Sequence, residues 1–277
     1  MNKDIDIFSI RNVVLLNNQI IFTKNGEHYY DFPYNNYKEL EKVVRTLNPR
    51  KIGTNEDLDE TFEKGAITFP ISLAFDYCVL KYKRVPTYEE VVDMYIELSL
   101  EKNSDSTYTE KKCFGANFTV TREAVAVRIF KGYFSFIREY MTFLYLRDKL
   151  SKYGATVFMN REDDYKGRID IGVIYNNVLY IIDTSVKTKR SDEFEQRKID
   201  GTRRNLTDTE KLLIEKYNCV DFCRILAKAN MRYGGNTYNC GQLKMYKSVF
   251  LDSICTYILN NNKYGVSINA DDLLTTY

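Results

Sequence analysis

The 277-residue chain has one histidine, no tryptophan, four prolines and no long apolar run. With His28 alone, chemistry that needs two imidazoles is excluded, which removes paired-histidine zinc sites and the metalloprotease helix. A serine triad would have to use His28, and no partner pattern surrounds it. The six cysteines (Cys78, Cys113, Cys219, Cys223, Cys240 and Cys255) form no C-x-x-C pair, so they read as structural thiols rather than a metal site. The spacing of Cys219 and Cys223 suits one buried helix face. No G-x-x-x-x-G-K-[ST] loop occurs, which excludes a P-loop NTPase. No apolar run approaches the roughly 20 residues that span a bilayer. Met1 to Asp6 resemble no export signal, so the expectation is a cytoplasmic protein with reduced thiols and no membrane partner.

A net charge of +2 excludes a bulk polycation, so any nucleic-acid contact must come from a local patch. Tyrosine is abundant at 23 residues, so Tyr29, Tyr30, Tyr34 and Tyr37 read as core and surface filling before base-stacking groups. Ordinary apolar and charged content, at 44% and 28%, predicts a globular chain with a sizeable core.

Val13 to Leu16 and Ile20 to Thr23 flank Asn17-Asn18 and predict a hairpin. Tyr37 to Leu47 predicts a short amphipathic helix stopped by Pro49. Thr87 and Glu90 form a capping box for a helix reaching about Leu100. Glu101 to Lys112 is polar and reads as a linker, which divides the chain into an N-terminal mixed α/β domain (1–112) and a second domain (113–277). Beyond it, Thr121 caps a long helix to about Tyr153, ended by Gly154. Its single polar strip holds Arg128, Ser135, Arg138, Glu139 and Thr142, and faces water or a site. Strands follow at Ala155 to Met159, Arg168 to Tyr175 and Val178 to Val186, the last two joined by Asn176-Asn177. Helical patterns are read at Ser191 to Lys198, Thr207 to Tyr217, Val220 to Ala229 and Leu243 to Leu259.

The chemistry concentrates on the last hairpin. Alternation places Asp183, Ser185 and Lys187 on one face of the third strand. The tight turn sets Val173 across from Tyr180 and Asp170 across from Asp183, so the two carboxylates are expected within several ångströms. Paired carboxylates suit a hard divalent cation that keeps some waters. Such an ion acidifies a water and neutralises a phosphoryl oxygen, while a lysine beside it stabilises the developing charge.

This helix, three-strand arrangement resembles the PD-(D/E)xK nuclease superfamily over about residues 120–230. Asp170 matches the aspartate that opens the second strand. Lys187 matches the motif lysine, and Glu139 matches the helix acid that some members carry. Ser185 stands where the motif has an acid. Either Asp183 supplies the carboxylate from two residues back, or the domain is a non-catalytic relative.

The resemblance implies an α/β (α+β) protein with a restriction-endonuclease-like mixed sheet flanked by helices. It also implies a metal-dependent endonuclease acting on DNA rather than RNA, in restriction, defence or a mobile element. Asp170, Asp183, Glu139 and Lys187 would be catalytic, the three acids holding Mg²⁺ or Mn²⁺. A homodimer or a partner protein fits such an enzyme. The alternative is a catalytically inactive assembly subunit of a nucleoprotein complex.

A plain structural role stands beside each residue. Asp170 could be a turn residue, Asp183 could pair with Lys187, and Glu139 could pair with Arg138, Arg128 or solvent. Lys189, Arg190, Arg197, Lys198, Arg203 and Arg204 follow the catalytic strand and are candidates for phosphate contact. Lys111, Lys112 and Arg122 could extend that patch. Charge runs of mixed sign are more often solvated faces.

Overall fold

The computed structural model describes residues 12–16, 19–23, 27–49, 56–64, 69–111, 119–167, 169–186, 207–231, 235–260 and 267–274. Strands β1 (Asn12–Leu16), β2 (Gln19–Thr23) and β3 (Glu27–Asp31) come first, then helices α1 (Tyr37–Thr46), α2 (Glu56–Lys64), α3 (Ile71–Tyr82) and α4 (Tyr88–Ser99). Three short strands follow, β4 (Leu100–Lys102), β5 (Tyr108–Glu110) and β6 (Thr119–Val120), leading into the long helix α5 (Arg122–Leu150). Then come β7 (Thr156–Asn160), α6 (Arg161–Gly167), β8 (Ile171–Tyr175), β9 (Val178–Val186), α7 (Asp208–Lys216) and β10 (Asp221–Ala229). The hairpin β11 (Thr237–Cys240) and β12 (Leu243–Tyr246), α8 (Ser248–Leu259), β13 (Ser267–Asn269) and α9 (Ala270–Leu273) complete the described chain.

The described strands build an eight-stranded mixed sheet in the order β13-β10-β9-β8-β7-β1-β2-β3. The β13–β10 and β10–β9 pairs are parallel, and the rest are antiparallel. The long helix lies on one face, in a core that joins Val13, Leu15 and Leu40 to Ile137, Leu144, Ile182 and Ile254. A smaller cluster on the other face packs Phe158, Ile169, Leu179, Ile181 and Phe222 against Leu213 of α7. The first half of α5 is clasped by rings from α3 and α4, where Phe75 and Tyr88 meet Tyr133. Among the described residues, no helix is long and apolar enough to cross a membrane.

Several sequence expectations are corrected. The division near residue 112 separates neither sheet nor core: β1 pairs with β7, and the main core draws on both sides of it. The described part of the expected linker, 101–111, is a hairpin, since β4 and β5 pair and a polar turn closes them. In that turn Asp105 Oδ1 accepts from the Thr107 amide at 3.0 Å, and Ser106 takes a positive φ of 66°. Val220 to Ala229 is a strand, because β10 runs parallel to β9 and is buried on both faces, which erases the alternation that marks a strand. Cys219 and Cys223 therefore share no helix face. The pattern from Leu243 to Leu259 divides into β12 and α8. Five cysteines, all except Cys113, lie among the described residues; they are buried and unbridged. Tyr34 and Tyr37 are buried in the core.

Local signals account for the elements around the site. Thr121 accepts from the Ala124 amide at 3.2 Å and opens α5, while Gly154, at φ 84°, ends the turn that follows it. Thr207 and Glu210 form a capping box at the start of α7, as Thr87 and Glu90 do at α4. The polar strip of α5 divides: Arg138, Glu139 and Thr142 are buried, whereas Arg128 and Ser135 stay half-exposed.

Candidate functional site

Asn176 and Asn177 both adopt positive φ, 49° and 61°, which suits the two-residue turn between β8 and β9. That turn sets Val173 opposite Tyr180 and Ile171 opposite Ile182, the register expected from the sequence. Asp170 stands in the bend just before β8, and its Oδ2 accepts from the Thr184 amide at 2.5 Å and from Thr184 Oγ1 at 2.9 Å. Thr184 lies on the same side of β9 as Ile182 and Tyr180, towards α5.

Asp183 leaves β9 on the opposite side, with Leu179 and Ile181. Its Oδ2 accepts from Arg224 Nη1 of β10 at 2.5 Å, and Arg224 Nη2 lies 3.7 Å from Glu210 Oε1 of α7. Asp170 and Asp183 thus engage different partners, although the charge of Asp183 still reaches Asp170. The reason is charge compensation: a carboxylate buried in the sheet needs a fixed cation, and the neighbouring parallel strand supplies one.

Around Asp170 the structure gathers further acids. Glu139 is buried on α5, and Arg161 Nη1 at the start of α6 reaches its Oε2 at 3.3 Å. The same guanidinium grips Asp76 of α3, with Nε donating to Oδ2 at 2.7 Å and Nη2 to Oδ1 at 3.1 Å. Its Nη1 also donates to Asp164 Oδ2 at 3.2 Å, and the Tyr140 hydroxyl donates to Asp76 Oδ1 at 2.5 Å. Three carboxylates (Asp76, Glu139 and Asp164) thus share the Arg161 cation, and the charges of Glu139 and Asp164 reach Asp170.

That excess of acid appears in the proton affinities of Glu139, Asp164 and Asp170. Burial pushes Glu139 up to about 7 against the pull of Arg161, with Asp164 and Asp76 adding to the rise. Burial also raises Asp164. Asp170 is driven well above the ordinary carboxylate range by burial, then by the charges of Glu139, Asp183 and Asp164, while the Thr184 amide opposes the rise. A buried excess of carboxylate is relieved by protons or by a cation.

Among the described residues, no three acid, thiol or imidazole groups surround one point as a complete metal shell. Magnesium asks for less, one or two carboxylates plus retained waters. Glu139 and Asp170 fit that request: both are hard oxygen donors, Glu139 is buried and Asp170 half-buried, and the charge of Glu139 raises the proton affinity of Asp170.

Ser185, one residue before the end of β9, is half-buried opposite Lys228 of β10. Lys187 and the basic run Lys189, Arg190, Arg197, Lys198, Arg203 and Arg204 lie outside the described residues, as do Lys112 and the helix read at Ser191 to Lys198. Lys111 and Arg122 serve structural contacts, Lys111 Nζ to the Glu97 carbonyl at 2.6 Å and Arg122 to Asp93 at 2.6 Å. The sequence reading missed Asp76, Arg161 and Asp164. One local signal existed for α6: Asn160 Oδ1 accepts from the amides of Glu162 and Asp163 at 3.0 and 3.3 Å, a cap before an acidic first turn.

Comparison of the chain with protein-family models, with curated proteins and with solved structures returned no match. The described fold is a mixed α/β protein whose large sheet is flanked by helices, with a buried acidic cluster where β8 begins and β9 ends.

Proposed function

We propose that the protein is a metal-dependent nuclease with a restriction-endonuclease-like core formed by α5, β7, β8, β9 and β10, and that it hydrolyses DNA phosphodiester bonds. The observation that carries this reading is the approach of Glu139, on α5, to Asp170, which lies 31 positions further on just before β8 and whose proton affinity the charge of Glu139 raises. These two carboxylates would hold Mg²⁺ or Mn²⁺. The bound ion supplies charge neutralisation at a phosphoryl oxygen and acidifies a water.

The chain's own residues set the acids in place. Thr184 fixes Asp170 through two donors, so its carboxylate is held at the mouth of the hairpin. Arg161 holds Glu139 and is itself locked by the bidentate grip on Asp76. Asp183 belongs to the scaffold in this reading. Lys187, two residues past Ser185 in the sequence, is the lysine that would stabilise charge at the phosphate.

A second reading, the catalytically silent assembly subunit, is favoured by Ser185 in the acid position and by the prior claim of Arg161 on Glu139. The deciding experiment measures Mn²⁺ binding by calorimetry, together with cutting of plasmid, linear and single-stranded DNA and of RNA. Wild type is compared with Asp170→Asn and Glu139→Gln. Metal-dependent cutting that both variants lose supports the nuclease. A folded wild type that binds DNA without taking up metal moves the assignment to the silent subunit.

A further inference from the structure

Four arginines are buried among the described residues: Arg138, Arg147, Arg161 and Arg224. Three of them have a carboxylate, Arg147 with Asp148 at 2.8 Å, Arg161 with Asp76 at 2.7 Å and Arg224 with Asp183 at 2.5 Å. Arg138 has none. It is 3% exposed, its Nε donates to the Lys244 carbonyl at 3.2 Å, and its guanidinium lies 5.9 Å from the centre of the Tyr246 ring. Its Nη1 is buried and meets no acceptor among the described residues. A buried donor left unmade is costly, and Glu139, whose charge reaches Arg138, pairs with Arg161 instead.

Arg138 adjoins the acidic site. It precedes Glu139 on α5, and the Tyr246 hydroxyl feels the charges of Arg138, Asp170 and Glu139 together. Tyr246 also donates to the Ala227 carbonyl at 2.6 Å, which seats β12 beside the last turns of β10. The acid next to Arg138 cannot complete it, because Glu139 is engaged by Arg161. An anion from outside the chain would.

We infer that Arg138 is the anion-binding residue of this site, taking a phosphate oxygen of the substrate on Nη1 while Glu139 and Asp170 hold the cation. The inference rests on the nuclease reading for the identity of the anion as a phosphodiester, and on Arg138 alone for the anion site itself. The planar guanidinium fork is the side chain best matched to a phosphate, and its Nε is already fixed by Lys244, so little rotamer freedom remains to be lost on binding.

The test uses the full chain without divalent metal. Inorganic phosphate is titrated against thermal unfolding, and a fluorescent single-stranded DNA oligonucleotide is titrated by anisotropy. The proteins are wild type, Arg138→Met and Arg138→Lys, with Mn²⁺ calorimetry run alongside. Phosphate should raise the wild-type Tm, and Arg138→Met should lose that rise and bind the oligonucleotide at least about tenfold more weakly. Arg138→Lys, which keeps a charge without the fork, should fall between them and covers the case in which the Met variant fails to fold. Mn²⁺ uptake should persist in the folded variants.

A wild type indifferent to phosphate overturns the inference, as does a folded Arg138→Met that responds like wild type; Arg138 would then be a structural residue satisfied by water. Phosphate binding that depends on Arg138, in a protein that neither takes up Mn²⁺ nor cuts, supports the anion site and removes the nuclease. Metal-dependent cutting with phosphate binding that ignores Arg138 does the reverse.

Discussion

Asp183 Oδ2 and Arg224 Nη1 stand 2.5 Å apart on two parallel strands that meet only through the fold, and both side chains are almost fully buried. Removing one partner leaves a charge in the sheet with its desolvation uncompensated. Asp183→Ala should therefore cost about 3–5 kcal/mol in urea unfolding. Replacing Asp183 and Arg224 together by leucine should recover part of that loss, because the stranded charge is gone. If the reading of Asp183 as scaffold is right, the folded fraction of Asp183→Asn keeps wild-type Mn²⁺ affinity. Loss of metal uptake in that folded variant would return Asp183 to the ligand set.

Stability should fall as pH rises from about 4.5 to about 7, the interval over which Glu139 ionises late in the folded state. The folded chain binds more protons than the unfolded chain in this window, so the contribution is whole below the ordinary glutamate value and disappears through the raised one. Asp164 and Asp170 act in the same direction. Thermal unfolding in metal-free buffer checks this, and Mn²⁺ at pH 8 should restore several degrees of Tm. Glu139→Gln and Asp170→Asn should flatten the pH dependence and abolish the Mn²⁺ rescue. A metal-free variant less stable at pH 8 than wild type would mean that the ion pair with Arg161 outweighs the crowding of acids.

Arg161→Lys should behave as a drastic substitution. A lysine keeps the charge but cannot reach Asp76 with two parallel donors while also touching Glu139 and Asp164. We expect a loss of about 3–5 kcal/mol in urea unfolding. A cost under about 1 kcal/mol would show that the acids hold one another through shared protons instead.

Gly172→Ala should destabilise by about 1–3 kcal/mol. A Cβ there would overlap the ring of Phe158, which lies directly opposite on β7 and is backed by Tyr217, with the two ring centres 4.6 Å apart. Adding Phe158→Leu should return part of the lost Tm. An additive double variant would show that the ring was free to move aside.

What the sequence made legible was local chemistry. Asn176-Asn177 fixed the hairpin and its register, and the Thr-x-x-Glu boxes at Thr87 and Thr207 marked two helix starts. Glu139 could be selected because it broke an apolar helix. Asp170 could be selected because it followed Ile169 at the opening of a strand. What stayed hidden was long-range choice of partner. Asp183 had a lysine four residues away, yet its cation came from Arg224, in a segment whose two-sided burial mimicked a helix. Arg161 and Asp76 are 85 positions apart, and neither residue type nor spacing announces that contact.

The pairing of β1 with β7 has a consequence for how the chain comes into being. Leu15 meets Met159 across roughly 140 intervening residues, so the first hairpin leaves the ribosome well before the strand that receives it exists. Until then, the β1 edge that receives Phe158, Met159 and Asn160 stays unpaired. The β1–β2–β3 meander must wait as a small sheet, open to chaperones and to mispairing along its β1 edge. Glu139, Asp170 and Arg138 come together only after α5, the β8–β9 hairpin and β12 are all in place, so the acidic site and its anion arm are among the last features the nascent chain acquires.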